Sequence, residues 1–140
     1  MKWLALLGRI LFALIFLMTF THIFKSSTAE QAASHGVPMA SVLVPIAGIL
    51  AIAGGISIIV GFKARLGALM ISLFLVPVTL FMHNFWTISD PMMRMMQQVN
   101  FMKNISLTGA ALLISYFGAG PLSIDSRFGT LRPSTRTGDA

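Results

Sequence analysis

Two apolar runs, SVLVPIAGILAIAGGISIIVGF (41–62) and LGALMISLFLVPVTLFMHNFW (66–86), are separated only by the KAR of residues 63–65. Each run is close to the ~20 residues that an α-helix needs to cross ~30 Å of hydrocarbon. Because backbone amides and carbonyls must find partners in lipid, each run is predicted to be a helix. The connection is too short for anything but a tight turn, so we expect an antiparallel helical hairpin.

Two further apolar segments, at about 3–24 and about 99–117, flank this hairpin. The chain has 56% hydrophobic residues, only 10% charged residues and a mean hydropathy of +0.84, whereas soluble domains carry about 25% charged residues. This composition excludes a water-soluble globular domain. We predict an all-α integral membrane protein, a four-helix bundle in up-down-up-down order. It is expected to form a single domain over 1–125, followed by a mobile cytoplasmic tail over 126–140.

The N-terminal segment also begins like a signal peptide, with Lys2 ahead of an apolar region. However, the apolar stretch is long, Arg9 interrupts it and no clear A-x-A cleavage site follows Phe24, so a retained helix is favoured. The next residues, KSSTAEQAASHGVP (25–38), are predicted to form a polar, flexible loop that Pro38 ends.

The basic residues divide unequally between the two ends of the predicted bundle. One end holds Lys2, Arg9, Lys63, Arg65, Arg127, Arg132 and Arg136, and the other holds Lys25, Arg94 and Lys103. Because short loops rich in Lys and Arg stay in the cytoplasm, both termini are predicted to be cytoplasmic. The net charge is +6, and the basic residues flank the apolar segments. This arrangement is typical of contact with a lipid bilayer and not of a surface that binds nucleic acid.

Arg9 lies about two turns inside the first predicted helix, where a charge is costly. Its long side chain can reach back to the lipid headgroups. It can also form a buried ion pair with Asp125, the only acid close to the matching end of the fourth helix. Both interpretations are open, and an ion pair here is expected to be a structural clamp rather than a catalytic group.

Several polar side chains and a tryptophan converge at the opposite end of the predicted bundle. They are His83, Asn84, Trp86, Asn100, Lys103 and Asn104. The last three follow i, i+3, i+4 spacing and share one helix face, with Phe101 pointing elsewhere. An amide–ammonium–amide stripe opposite an imidazole suits a carbonyl, quinone or carboxylate group, with Phe85 and Trp86 as aromatic walls. The same residue types are also common at any membrane interface.

Two metal centres are conceivable from residue types, and both are disfavoured. His22 and His83 lie at matching depths, as a bis-imidazole haem requires, but nothing in the sequence makes their helices adjacent. The cluster MMRMM (92–96) offers thioethers, which favour Cu(I), yet Asp90 and Pro91 are a typical helix start. We therefore predict no metal site. The methionines are interpreted as a short interfacial helix or as an extension of the fourth helix.

Small residues in the second apolar run predict close packing between helices. They are Gly48, Gly54, Gly55, Ser57 and Gly61. Pro45 and Pro77 are expected to kink their helices.

The order of several segments resembles the DoxX-like membrane proteins over about residues 4 to 125. These segments are LLGRILFALIF, FTHIFK, GGISIIVGFKARLGAL, HNFW, NFMKNISLTGAALLI and GAGPLSID. The resemblance implies a multi-pass, four-helix protein of the bacterial inner membrane. Such a protein is similar to the small subunit of an archaeal terminal quinol oxidase and to a component of a thiosulfate:quinone oxidoreductase.

The resemblance also implies that certain residues occupy recurring motif positions. They are Arg9, His83, Lys103, Asn104 and Asp125. Many relatives carry Gly-Lys after the first helix, and here only Lys25 matches, which argues against a role for His22.

Two classes of function follow. The first is a quinone-interacting component of a membrane oxidoreductase or respiratory complex, with the quinone as cofactor near His83 and Lys103. The chain has no cysteine and no flavin or nicotinamide motif, so it is not expected to catalyse alone and requires a protein partner or a homo-oligomer. The second class is a non-enzymatic assembly subunit, or a binder or transporter of a small lipophilic molecule.

Overall fold

The computed structural model describes residues 2–23 and 25–129, and this part of the chain is helical without a strand. The helices are α1 (Lys2–Leu17), α2 (Ser26–Ser34), α3 (Ala40–Val60), α4 (Ala64–Met82), α5 (Pro91–Phe117) and α6 (Ile124–Gly129). Short 3-10 helices follow α1 at Met18–Thr21 and α4 at Phe85–Thr87.

Three helical segments of the described residues are long and apolar enough to cross a membrane: Lys2–Thr21, Ala40–Val60 and Ala64–Thr87. Many of their large apolar side chains are exposed, and Leu73 is 67% exposed. In water this surface would be strongly unfavourable, whereas lipid tails cover it without cost. The core between the helices is correspondingly narrow and includes Ala51, Ala68 and Ala111. The described part of the chain is therefore helical, and the protein is an integral membrane protein in contact with the bilayer.

The helices α3 and α4 form the antiparallel hairpin expected from their short connection. A Cβ atom added to Gly54 would lie 2.7 Å from the carbonyl oxygen of Gly67, so the two backbones meet at these glycines. The turn uses left-handed backbone at Gly61 (φ 71°) and Lys63 (φ 50°). The Ser57 hydroxyl closes it by donating to the Phe62 carbonyl at 2.7 Å.

The helix α1 and the segment that follows it pack on other small residues of α3. A Cβ atom on Gly55 would lie 3.5 Å from the Ala13 carbonyl oxygen, and one on Gly48 would overlap the Ile23 side chain. The predicted small-residue contacts are thus present on two sides of α3. Pro45 and Pro77 lie inside α3 and α4 without ending either helix.

The N-terminal half differs from the sequence prediction in two places. The first helix was expected to run to about residue 24, but its α-helical part ends at Leu17 and a 3-10 turn follows; Phe24 itself lies outside the described residues. The loop expected over 25–38 was wrong for Ser26–Ser34, which form α2. This segment contains strong helix formers, and its Ala32 is buried where α2 packs on α3.

The helix α5 begins earlier than the expected residue 99 and ends at Phe117, as predicted. The Asp90 carboxylate accepts the Met93 amide at 2.8 Å, and Pro91 occupies the first turn. The methionine-rich segment is therefore a continuous extension of the fourth predicted helix. Its 27 residues correspond to a rod about 40 Å long.

The tail was predicted to begin at residue 126, but α6, the last described element, extends from Ile124 to Gly129. Its residues up to Gly129 are helical. The rest of the predicted tail, including Arg132 and Arg136, lies outside the described residues.

Candidate functional site

The end of α4 is joined to the start of α5 by a side-chain hydrogen bond. His83, which follows the last turn of α4 and is half-buried, places Nδ1 2.7 Å from Oε1 of Gln97. An amide oxygen can only accept a hydrogen bond, so Nδ1 is the donor. In the neutral imidazole, Nε2 is then left as an acceptor.

A polar stripe follows the face of α5 that packs toward α4. Gln97, Asn100, Asn104 and Thr108 recur at three- or four-residue spacing, in line with the buried Ala111. Successive members of such a series lie above one another on a helix. Sequence and packing together thus place amides and a hydroxyl on the side of α5 that faces the other helices.

Asn104 is the most buried member of this stripe, with only 6% of its surface exposed. Its main-chain carbonyl accepts the Thr108 hydroxyl at 2.8 Å. In the described part of the chain, no hydrogen bond joins its side-chain amide to another residue. The fully enclosed side-chain atoms without a partner in the described residues are Nε and Nη1 of Arg9. The Asn104 amide is therefore still accessible, and it has an unfilled capacity to donate and accept.

Lys103 lies at the edge of the stripe and not within it. Its side chain is exposed, and Nζ donates to Oδ1 of Asn100 at 3.2 Å. The three residues of the predicted amide–ammonium–amide stripe therefore differ in exposure. Lys103 is exposed, Asn100 is half-buried and Asn104 is buried.

The aromatic residues form a cluster beside this end of the site. Phe85, Trp86 and Phe101 pack edge to face, with ring centroids 5.3, 5.4 and 5.8 Å apart. Phe101, which was expected to point away from the polar stripe, joins the two predicted wall residues, and these lie in the 3-10 helix after α4. Trp86 is 51% exposed, and Asn84 is half-buried with its carbonyl accepting the Thr87 hydroxyl.

Sequence reasoning missed two residues of this region. Gln97 was not named as a site residue, yet it is the hydrogen-bond partner of His83. Thr79 lies one turn before His83, is buried, and satisfies its hydroxyl by donating to the Leu75 carbonyl at 2.6 Å. The sequence feature that could have identified Thr79 is its i, i+4 spacing from His83, since this spacing places two residues on one helix face.

The residues considered for metals are dispersed. His22 and the methionines Met92, Met93, Met95 and Met96 are exposed. No group of three or more His, Cys, Asp or Glu side chains suited to a metal occurs among the residues that the structure describes.

At the other end of the molecule, Asp125 binds the turn between α3 and α4. Its two carboxylate oxygens accept the amides of Lys63 at 2.8 Å and Ala64 at 3.0 Å, the first amides of α4. Its own amide donates to the Gly61 carbonyl at 2.8 Å. Since the first amides of a helix have no partner within it, Asp125 caps α4 from a distant part of the chain.

Arg9 reaches the same turn from α1. It is 4% exposed, and Nη2 donates to the Leu122 carbonyl at 2.7 Å, while Nε and Nη1 are buried without a partner in the described residues. A Cβ atom on Gly61 would overlap Nη1 of Arg9, so the guanidinium lies directly against that glycine. The structure thus brings Arg9 and Asp125 to one turn with separate hydrogen bonds to backbone groups. Their direct ion pair stays a prediction.

The apolar helices and the polar groups between them define the class as a multi-pass helical membrane protein. A model of the SURF4 family matches residues 1–128, and the chain belongs to that family. It is 30% identical over 100 residues to inner membrane protein YphA of Escherichia coli (strain K12), covering 71% of each chain. No solved structure matches the chain. The predicted location in the bacterial inner membrane is confirmed by this relative and by the three apolar helices.

Proposed function

We propose that this SURF4-family protein binds the headgroup of a quinone between the end of α4 and the first half of α5. The observation that carries the proposal is the buried Asn104 amide, which has no hydrogen-bond partner in the described part of the chain. A quinone carbonyl is an acceptor that would give this amide a hydrogen-bond partner. The protein would act as a component of a membrane oxidoreductase or respiratory complex.

The proposal includes a four-helix, up-down-up-down bundle in which α5 is the fourth span and both termini are cytoplasmic. Support comes from the packing of α3 on α4 and of α4 on α5. The second half of α5, ISLTGAALLISYF (105–117), is apolar, and α5 is longer than the ~20 residues that a span needs. The excess of Lys and Arg at the α3–α4 turn supports a cytoplasmic position for that end.

The chemical fit of a quinone rests on donors and acceptors that the chain already positions. The Asn104 amide is the donor to a carbonyl, and Lys103 lies at the exposed edge of the stripe, where its charge favours an electron-rich headgroup. Phe85, Trp86 and Phe101 provide aromatic surface for a planar ring. A bound quinone supplies redox chemistry coupled to proton transfer.

His83 is proposed as the proton-accepting group. Its Nδ1 is held by Gln97, so Nε2 is the nitrogen that can take a proton. Oxidation of a bound quinol to the quinone releases two protons and two electrons; Nε2 would take one proton from a quinol hydroxyl, and the other would pass to water. Electrons would pass to the redox group of a protein partner.

Membership of the DoxX-like proteins is part of the same proposal and is supported by the shared segment order.

The second candidate function is non-enzymatic: an assembly subunit, or a binder of another small lipophilic molecule. The exposed methionines at the start of α5 favour it, because flexible thioether side chains adapt to varied partners. A second copy of this chain or another subunit would then cover them.

Quinone content of the purified protein separates the two candidates. We expect the protein extracted in mild detergent to retain quinone detectable by mass spectrometry. His83→Ala and Lys103→Ala should lower the quinone-to-protein ratio, whereas Gln98→Ala, an exposed neighbour of the site, should not. Protein that is free of quinone and always co-purifies with another subunit would support the assembly role instead.

A further inference from the structure

Two adjoining open clefts lie at the end of the molecule opposite His83. They have volumes of about 640 and about 490 Å³ and share Arg65 and Phe117. Leu112 and Tyr116 line the first cleft, and Lys63 lines the second. The two clefts thus meet at Arg65, with side chains of α5 on one side and Lys63 on the other.

Arg65 is positioned to serve both clefts. It lies in the first turn of α4 and is exposed, and its guanidinium packs over Gly118, where an added Cβ would be 3.4 Å from Nε. The backbone of Gly118 has φ +81°, a conformation that favours glycine. Because glycine has no side chain, the guanidinium can lie close to the backbone at this position. No hydrogen bond joins the Arg65 side chain to another residue in the described part of the chain, so its donors are available to a ligand.

The charge of the second cleft favours an anion. Lys63 and Arg65 both contribute to its lining. Asp125 also lines it, but both oxygens of this carboxylate already accept backbone amides. The acid is therefore engaged with the α4 terminus, and the two cations exceed it in charge.

The first cleft supplies an apolar surface beside this charge. Leu112, Tyr116 and Phe117 project from the last turns of α5, and Tyr116 is 76% exposed. A free phosphate ion would leave this surface unused, whereas an amphiphile would place its chain along it and its headgroup at Arg65. Guanidinium groups bind phosphate oxygens in a fork geometry, which favours Arg at such a site.

We propose that the two clefts together bind one anionic phospholipid, with its phosphate at Arg65 and Lys63 and an acyl chain against Tyr116 and Phe117. This site is separate from the proposed quinone site, and it does not depend on it. Its occupant would join the α3–α4 turn to the end of α5, so binding is expected to stabilise the folded protein.

The test is thermal unfolding of the full chain in detergent, titrated with phosphatidylglycerol, phosphatidylcholine or inorganic phosphate. We expect phosphatidylglycerol to raise the midpoint far more than the other two. Arg65→Gln should weaken the apparent affinity for phosphatidylglycerol about tenfold, as expected for loss of a charge-assisted contact. Arg94→Gln, the same change at an exposed arginine of the other end, is the matched control.

Lys63→Asn provides a second variant, since asparagine tolerates the left-handed backbone at that position, and it should weaken binding in the same direction. An equal loss of affinity in Arg94→Gln would overturn the proposal by showing that only overall charge matters. Equal stabilisation by inorganic phosphate would overturn it in favour of a free-anion site. Unchanged affinity in both Arg65→Gln and Lys63→Asn would also overturn it.

Discussion

The Nδ1 atom of His83 lies 2.7 Å from Oε1 of Gln97, and this contact joins the end of α4 to the second turn of α5. It fixes which imidazole nitrogen carries the proton, because the amide oxygen is an acceptor only. The same contact aligns His83 with the polar stripe that runs along α5 to the buried Asn104. The proposed site therefore depends on one inter-helix hydrogen bond as well as on its own polar groups.

Replacing Gln97 with alanine should weaken both the helix contact and the proposed site. We expect Gln97→Ala to lower the free energy of unfolding by about 1 kcal/mol, the usual net value of a hydrogen bond, and to weaken binding of a short-chain quinone. Calorimetry and a quinone titration in detergent measure the two effects. Gln98→Ala is the control, since Gln98 is exposed on the next position of the same helix. Equal effects of the two variants would contradict the role given to Gln97.

The close approach of α3 and α4 at Gly54 gives a prediction about packing alone. An added Cβ would lie 2.7 Å from the Gly67 carbonyl oxygen and 2.9 Å from the Ile71 side chain. Gly54→Ala should therefore cost about 1–3 kcal/mol, as overpacking usually does. At Gly109 nothing lies within 4 Å, so Gly109→Ala should be neutral or stabilising through helix propensity. The midpoint of thermal unfolding of both variants tests this prediction. A Gly54→Ala protein as stable as Gly109→Ala would contradict the close contact of the two backbones.

Asp125 should act as a helix cap. Asp125→Ala removes the acceptor for the Lys63 and Ala64 amides, and loss of a cap costs about 0.5–2 kcal/mol. Glu30→Ala, which removes an exposed acid from α2, should have little effect on the midpoint of thermal unfolding. Faster hydrogen exchange at the first amides of α4 in Asp125→Ala would locate the loss. Unchanged exchange there would contradict the capping role.

A double-mutant cycle between Arg9 and Asp125 tests how these residues stabilise the turn at Gly61. Each has its observed hydrogen bonds to backbone groups. We therefore expect Arg9→Gln and Asp125→Asn each to destabilise the protein, with a coupling energy below about 1 kcal/mol. A coupling of about 3 kcal/mol would instead indicate the direct ion pair.

The membrane helices were predictable because hydrocarbon imposes a simple requirement on the sequence. Spans must be apolar and about 20 residues long, and a three-residue connection leaves only a hairpin for 41–86. The small residues Gly54 and Gly55 identified the helix contacts correctly. Asp90 and Pro91 likewise marked the start of α5, since caps follow from local chemistry.

The remaining features depend on tertiary contacts that have no local pattern. The helix α2 is polar, packs on α3 and buries Ala32. Gln97 and Gln98 are identical in type, and only the position of His83 makes one of them a partner. Phe101 joined the aromatic cluster because α5 is continuous through residue 97 and turns this side chain toward Phe85.

The substitution Asn104→Leu tests the central claim most directly, because it separates ligand binding from stability. Quinone content by mass spectrometry and the midpoint of thermal unfolding are measured on the same preparation. We predict that the variant loses its quinone while the quinone-free protein is as stable as quinone-free wild type or more so, since leucine replaces a side-chain amide that makes no hydrogen bond within the described residues. A variant that retains its quinone and is less stable would contradict the account and assign Asn104 a purely structural role.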